Sequence, residues 1–246
     1  MGTRGIFLTG TDTGAGKTLV SAAVLRALAR RGLRVAAFKP VETGCRLEVD
    51  GSLVGEDCAV LAGACSCGQA PRDVAAYLFR EPAAPLVAAE AEGATIDRER
   101  LLARFAAIAA GADFVLVESA GGLMVPVADG FTTRDLARDL GLPAVVVVAS
   151  RLGCINHALL TLEVLRSSSI PVAGIVLNTV PDGGAFPLAT RTNRDVLARF
   201  AGAPDLGAMP LVEEARRGDL DHLADLADAF LDLDAMLGAR PRPPRS

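Results

Sequence analysis

Residues 10–18 read Gly10-Thr11-Asp12-Thr13-Gly14-Ala15-Gly16-Lys17-Thr18, preceded by the apolar run Gly5-Ile6-Phe7-Leu8 and followed by a helical pattern from Leu19. A strand, a glycine-rich turn and a helix in succession leave few folds open, because the turn must present backbone amides at a helix N-terminus. Such a turn cradles phosphate. Its glycines let successive N–H groups converge on a triphosphate, Lys17 reaches the outer phosphates, and the Thr18 hydroxyl can hold Mg²⁺. The strict spacing places the first glycine at position 11; here Thr11 stands there and Gly10 precedes it, so the loop is a variant.

The rest of the composition agrees with such a loop on an α/β scaffold. Apolar residues make up 51% of the chain and aromatics only 4%, so the core must be built from Ala, Val, Leu and Ile, as in parallel sheets covered by helices. A single domain is expected over residues 1–238: α/β, of the P-loop NTPase type, with a mostly parallel sheet covered by helices on both faces. A disordered tail is expected at 239–246, where prolines and arginines alternate. The net charge of −4, with no Trp and one Tyr, offers neither a basic surface nor stacking platforms, so nucleic acid is not an expected partner. No apolar run reaches the ~18–20 residues that span a bilayer and no charged-then-apolar leader precedes the first strand, so no membrane partner is expected and the location is expected to be cytoplasmic. The five cysteines are expected as reduced thiols. Cys65 and Cys67 form the only close pair, with no second pair near enough to complete a metal site.

Apolar periodicity gives a first helix from residue 19 to Gly32 and a short strand at 35–38, which Lys39-Pro40 is expected to end, since proline lacks the ladder N–H. Residues 44–55 read as a loop, 56–61 as a short helix bearing Asp57, and 75–85 is ambiguous. A helix capped by Thr95 or Asp97 runs to about residue 110, followed by a strand at 113–118 ending in Glu118. Residues 119–122 are expected as a tight loop. A helix at 133–140, the most apolar strand at 144–149, a helix at 156–166, a strand at 172–177 ending at Asn178, a helix at 192–200, a strand at 206–209 and a closing helix from Leu220 complete the alternation. Ligands on parallel sheets bind beyond the carboxyl ends of the strands. The phosphate loop, Lys39, Glu118 and Asn178 all fall at that edge.

Thr18, Glu118 and Asp57 offer the oxygen ligands that Mg²⁺ takes together with phosphates and water. A helix-start acid such as Asp57 can equally be a favourable dipole contact. Lys39 reads either as a solvated strand-end lysine or as a point charge that stabilises negative charge developing during phosphoryl transfer. The Asn178 amide either closes a loop or reads the N6 and N7 edge of adenine.

Four blocks, Gly10-Thr11-Asp12-Thr13-x-x-Gly16-Lys17-Thr18, Lys39-Pro40-Val41-x-Thr43-Gly44, Val117-Glu118-x-Ala120-Gly121-Gly122 and Leu152-Gly153-Cys154-Ile155-Asn156-His157, together resemble dethiobiotin synthetase. Asn178 and Gly207-Ala208-Met209-Pro210 extend the resemblance to about residue 212. It implies a homodimer that uses ATP and Mg²⁺ to make dethiobiotin from diaminopelargonic acid and carbon dioxide through a phosphorylated carbamate. By matching position it implies Lys39 as the catalytic lysine, Thr43 on the reacting diamine, and Thr18, Asp57 and Glu118 at the metal. The nucleotide would be held by Thr13, Gly14, Ala15, Gly16, Lys17, Thr18 and Leu19, by Asp57, Glu118, Ser119, Ala120 and Gly121, and around the base by Asn178, Thr179, Pro210, Leu211 and Val212. Gly153, Cys154 and Asn156, at a helix start, would receive the substrate carboxylate from the neighbouring subunit. Ser119 stands where the family commonly has glycine, and Thr179 where many members have aspartate.

Two rivals share the loop. Partitioning and septum-positioning ATPases carry a signature lysine five residues before the loop lysine, where this chain has Asp12. Related amide-forming ligases carry an added glutaminase domain for which the chain has no room.

Overall fold

The computed structural model describes residues 4–181 and 187–238. Val145, Val146, Val147 and Val148 are all fully buried, yet successive residues enter different cores: 145 and 147 face one, 146 and 148 the other. Ile6 and Leu8 against Phe7, and Val35 and Ala37 against Ala36 and Phe38, divide the same way. Alternation of this kind is what a strand covered on both faces requires, and it explains why these segments read as unbroken apolar runs.

Seven such strands, β1 (Gly5–Gly10), β2 (Val35–Glu42), β3 (Ala75–Leu78), β4 (Phe114–Gly122), β5 (Ala144–Ala149), β6 (Val172–Asn178) and β7 (Asp205–Met209), form one sheet in the order β7-β6-β5-β1-β4-β2-β3. Every neighbouring pair is parallel. The longer helices are α1 (Lys17–Arg30), α2 (Glu56–Ala64), α3 (Pro85–Ala91), α4 (Arg98–Ala110), α5 (Thr133–Leu140), α6 (Cys154–Ser167), α7 (Pro187–Phe200) and α8 (Leu220–Phe230). Leu25 and Leu28 of α1, Leu61 of α2 and Leu223 of α8 cover one face; Ala137 of α5, Leu162 and Leu165 of α6 and Leu197 of α7 cover the other. Each large aliphatic side chain so buried stabilises the fold by about 1.5–3 kcal/mol. A third cluster, including Val41, Phe79, Leu101 and Leu136, closes the β3 edge. On the outer surface, Arg26 and Arg30 of α1 and Arg31 at its C-cap pair with Asp221, Asp225 and Asp228 of α8.

The sheet, the covering helices and their order follow the sequence expectations, with three corrections. β2 runs through Pro40 to Glu42 instead of stopping at residue 38. Its pairing with β4 ends at Phe38↔Val117 and passes to β3 from Lys39↔Ala75, so the proline falls where the β4 ladder has already parted. Residues 119–122 are not a separate tight loop: β4 continues to Gly122, with a register shift against β1 between Leu8 and Gly10. Residues 44–55 are not wholly loop, because Arg46–Leu47 and Leu53–Val54 pair as a small antiparallel hairpin. The ambiguous stretch is the edge strand β3 followed by α3. The expected tail at 239–246 lies outside the described residues.

Candidate active site

The phosphate loop leaves the carboxyl end of β1, and Gly16 caps α1 with φ +82°. A side chain there would be strained, and its Cβ would lie 2.0 Å from Asn178 Nδ2, so only glycine fits. α1 has no side-chain cap and no acid in its first turn, which leaves its leading amides for an anion. The loop is braced from both sides. Thr13 N donates to Asp12 Oδ1 at 2.8 Å, Arg151 Nη2 to Asp12 Oδ2 at 2.6 Å, and Lys17 Nζ to the Asp12 carbonyl at 3.1 Å. Burial pulls the Lys17 ammonium below lysine's ordinary pKa, against the opposing pull of Glu118.

Facing the loop, β2 and β4 bring two charged groups together. Lys39 is 5% exposed and Glu118 fully buried, and Lys39 Nζ donates to Glu118 Oε1 at 2.7 Å. The same ammonium donates to Asp57 Oδ2, and Thr18 Oγ1 donates to Glu118 Oε1 at 2.9 Å. Burial alone lowers the Lys39 pKa, but the Glu118 and Asp57 carboxylates more than reverse this and hold it above lysine's ordinary value. Burial likewise pushes Asp57 up, and the adjacent Lys39 ammonium, aided by Thr18, brings it below the ordinary carboxylate value. A cluster like this is a poor investment in stability, because desolvating the charges offsets most of their attraction; it reads as chemistry.

A cavity of about 690 Å³ opens between the loop and this cluster. It is of a size that takes small-molecule ligands. Thr13, Gly14, Gly16, Lys17, Thr18, Leu19, Lys39, Thr43, Asp57, Glu118, Ala120 and Gly121 all line it. The remaining candidates lie elsewhere. Ala15 is buried behind the loop. The Ser119 hydroxyl donates to the Gly121 carbonyl at 2.8 Å and hydrogen-bonds with the Thr9 hydroxyl at 3.2 Å, tying β4 to β1, and is not part of the cavity lining. Asn178, 4% exposed, donates from Nδ2 to the Ala15 carbonyl at 2.9 Å, so its amide nitrogen secures the loop. The backbone N–H of Thr179 donates to the Met209 carbonyl, Leu211 is exposed and Val212 is packed in the core behind α1, with Pro210 between strand and core. Gly153, Cys154 and Asn156 start α6 at the end of a different strand; Cys154 is buried, while His157 borders a smaller hollow on the far side of the loop.

The oxygen donors around the cavity suit a hard cation. Glu118 Oε2 is buried and has no hydrogen-bond partner among the described residues. With the Thr18 hydroxyl and the half-exposed Asp57 carboxylate it makes an all-oxygen set with room for phosphates and water, which fits Mg²⁺.

A family model described as an AAA domain matches residues 4–217. The ATP-dependent dethiobiotin synthetase BioD of Thermodesulfovibrio yellowstonii is 36% identical over 240 residues, covering 95% of this chain and 98% of that protein. The protein of the same name from Aromatoleum aromaticum is 41% identical over 212 residues, covering 86% and 92%. The chain belongs to the dethiobiotin synthetase family. Its fold is also that of the MinC:MinD cell division protein complex of Aquifex aeolicus (TM-score 0.58, 19% identity, 98% and 99% of the two chains) and of a ParA family ATPase of Chlorobium tepidum (TM-score 0.56, 18% identity, 92% of each). At such identities the likeness speaks for the fold, so the dethiobiotin synthetase site must be argued from its own residues.

Two residues of that site escaped the sequence reading. Arg151 follows Ser150 at the end of β5, and no local pattern marks it as the brace of a loop 139 positions away. Glu42 also lines the cavity, at the end of β2. Its only sequence signal is an acid directly after Lys39-Pro40-Val41.

Proposed function

We propose that this member of the dethiobiotin synthetase family carboxylates diaminopelargonic acid with carbon dioxide and closes the ureido ring at the expense of ATP. The observation that carries the proposal is the buried Lys39 ammonium, held against Glu118 on the wall of a phosphate-loop cavity. A nucleotide-binding switch needs the loop lysine but has no evident use for a second, desolvated lysine across the cavity.

In this reading the loop amides and Lys17 hold the outer phosphates of ATP, and Asn178 keeps the loop in shape by its bond to Ala15. Thr18, Asp57 and Glu118 would hold Mg²⁺, which when bound neutralises phosphate charge. Thr43, on the cavity wall, orients the diamine. A carbamate oxygen on one amine attacks the γ-phosphorus of ATP and ADP leaves, giving a phosphorylated carbamate; the second amine then attacks the carbamate carbon, loses a proton, and phosphate leaves with ring closure. Lys39 stabilises the negative charge carried by the carbamate and the transferring phosphoryl group. The base lies beyond β6 and β7, beside Thr179, Pro210 and Leu211. We further propose a two-fold dimer in which Gly153, Cys154 and Asn156 of a second copy receive the substrate carboxylate at the N-terminus of α6.

The test is incubation with diaminopelargonic acid, labelled bicarbonate, ATP and Mg²⁺. Label in an acid-stable product, with one phosphate released per label, is expected. ATP hydrolysis indifferent to the diamine, with no label retained, would overturn the proposal in favour of a switch.

A further inference from the structure

Of the three carboxylates around the cavity, Asp57 and Glu118 have roles in the reading above and Glu42 has none. Glu42 is 6% exposed. Its Oε1 accepts from Asp57 N at 2.8 Å and its Oε2 from Cys58 N at 2.9 Å, two of the leading amides of α2 that no intrahelical carbonyl can satisfy. The residue that would ordinarily supply such a cap is Gly55, which has no side chain to offer. Nothing in its backbone demands glycine, since its φ of −86° and ψ of 129° suit any residue. Space demands it: a Cβ on Gly55 would lie 2.1 Å from Glu42 Oε2 and 2.7 Å from Oε1. The helix has given up its own cap to admit a carboxylate from the sheet.

The consequence concerns Asp57, which rides on the turn that Glu42 holds. β2 carries Lys39 and, three residues on, Glu42. One strand thereby sets the ammonium directly and the facing carboxylate through the helix start. We infer that Glu42 is a positioning residue that clamps the N-terminus of α2 so that Asp57 is held in register with Lys39, Glu118 and Thr18 for metal binding. This rests on the proposal that Asp57 is a Mg²⁺ ligand.

The inference is tested with wild type, Asp57→Asn, Glu42→Gln and the double variant. The quantity read is Mn²⁺ affinity in the presence of a non-hydrolysable ATP analogue, from the electron paramagnetic resonance signal of free Mn²⁺. Glutamine keeps the size of Glu42 but turns one acceptor into a donor facing an N–H. Glu42→Gln should weaken Mn²⁺ binding by about tenfold or more, the usual scale for a group that orients a metal ligand, with metal-free binding of the analogue little changed. In the Asp57→Asn background it should add nothing, since it acts through Asp57. Gly55→Ala, which keeps Glu42 but pushes its carboxylate off the turn, should give a similar loss and serves if Glu42→Gln folds poorly. Wild-type affinity in Glu42→Gln and Gly55→Ala, or losses that add fully to that of Asp57→Asn, would overturn the positioning role. Unchanged affinity in Asp57→Asn would instead remove the metal role of Asp57, and the inference with it.

Discussion

Lys39 is the residue at which burial and charge meet most sharply. Its ammonium is withdrawn from water, which lowers its pKa, and the facing Glu118 and Asp57 carboxylates more than offset this. Lys39→Ala should lower dethiobiotin formation by about 10²-fold or more, the scale expected on removing one preorganised charge-stabilising group. ATP affinity without the diamine should fall much less, because the loop and Lys17 are untouched. The variant also strands the buried Glu118, at a cost of about 3–5 kcal/mol, which a thermal melt would reveal. Lys39→Arg keeps the charge but presents a planar fork instead of a point, so it should restore stability more than turnover. Equal losses of ATP affinity and turnover in Lys39→Ala would make the lysine a phosphate-binding group and nothing more.

At the scale of the element, helix N-termini are satisfied in two ways. Glu42 caps α2 from the sheet, whereas α5 is capped locally: Asp135 Oδ2 accepts from the Thr132 hydroxyl at 2.7 Å and the Thr132 amide at 2.9 Å, while Oδ1 pairs with Arg134 and Arg138. Burial pushes the Asp135 carboxyl up, and the Thr132 bonds and the Arg134 guanidinium reverse this and bring it to about 2. A carboxyl depressed in the folded state contributes stability that is fully present above its unfolded pKa, about 4, and is lost as the pH falls toward the folded value. Asp135→Asn should therefore lower stability by about 1–2 kcal/mol at pH 7. Urea midpoints of variant and wild type should converge as the pH falls from about 4 to about 2. A gap of the same size at pH 7 and pH 3 would mean that packing, not charge, was lost.

For the whole molecule, the cavity gathers residues from the phosphate loop, β2, β4, α1 and α2, but not the start of α6. If a second copy supplies that segment, defects on opposite sides of the shared site must complement. Lys39→Ala and Asn156→Ala proteins, each with little activity alone, should regain about a quarter of wild-type turnover when mixed under conditions of subunit exchange. Half the dimers would then be mixed, and each of those would hold one intact site. No recovery, with exchange verified by a labelled subunit, would place Asn156 and Lys39 in the same subunit's site or in none.

The phosphate loop, the alternation of strands and helices, and the candidacy of Lys39, Asp57 and Glu118 were legible in the residues, because each is written in contiguous sequence: a glycine-rich turn between strand and helix, an apolar run, an acid or a base at its end. What was not legible depended on partners remote in the chain. Pro40 lies inside a strand because β4 departs just before it, and β4 bulges after Glu118 but returns to pair Gly122 with Gly10 of β1. The Asn178 amide is drawn to Ala15, 163 residues away, and Arg151 to Asp12. Glu42 became visible only once β2 and α2 were seen in contact, when Gly55 proved to be a glycine for want of space and not for its dihedral angles. Local patterns determine which backbone each segment can adopt, since propensity and periodicity act over a few residues. Which polar groups satisfy one another was decided by the packing of the sheet, because a hydrogen bond depends on distance in space and not on separation along the chain.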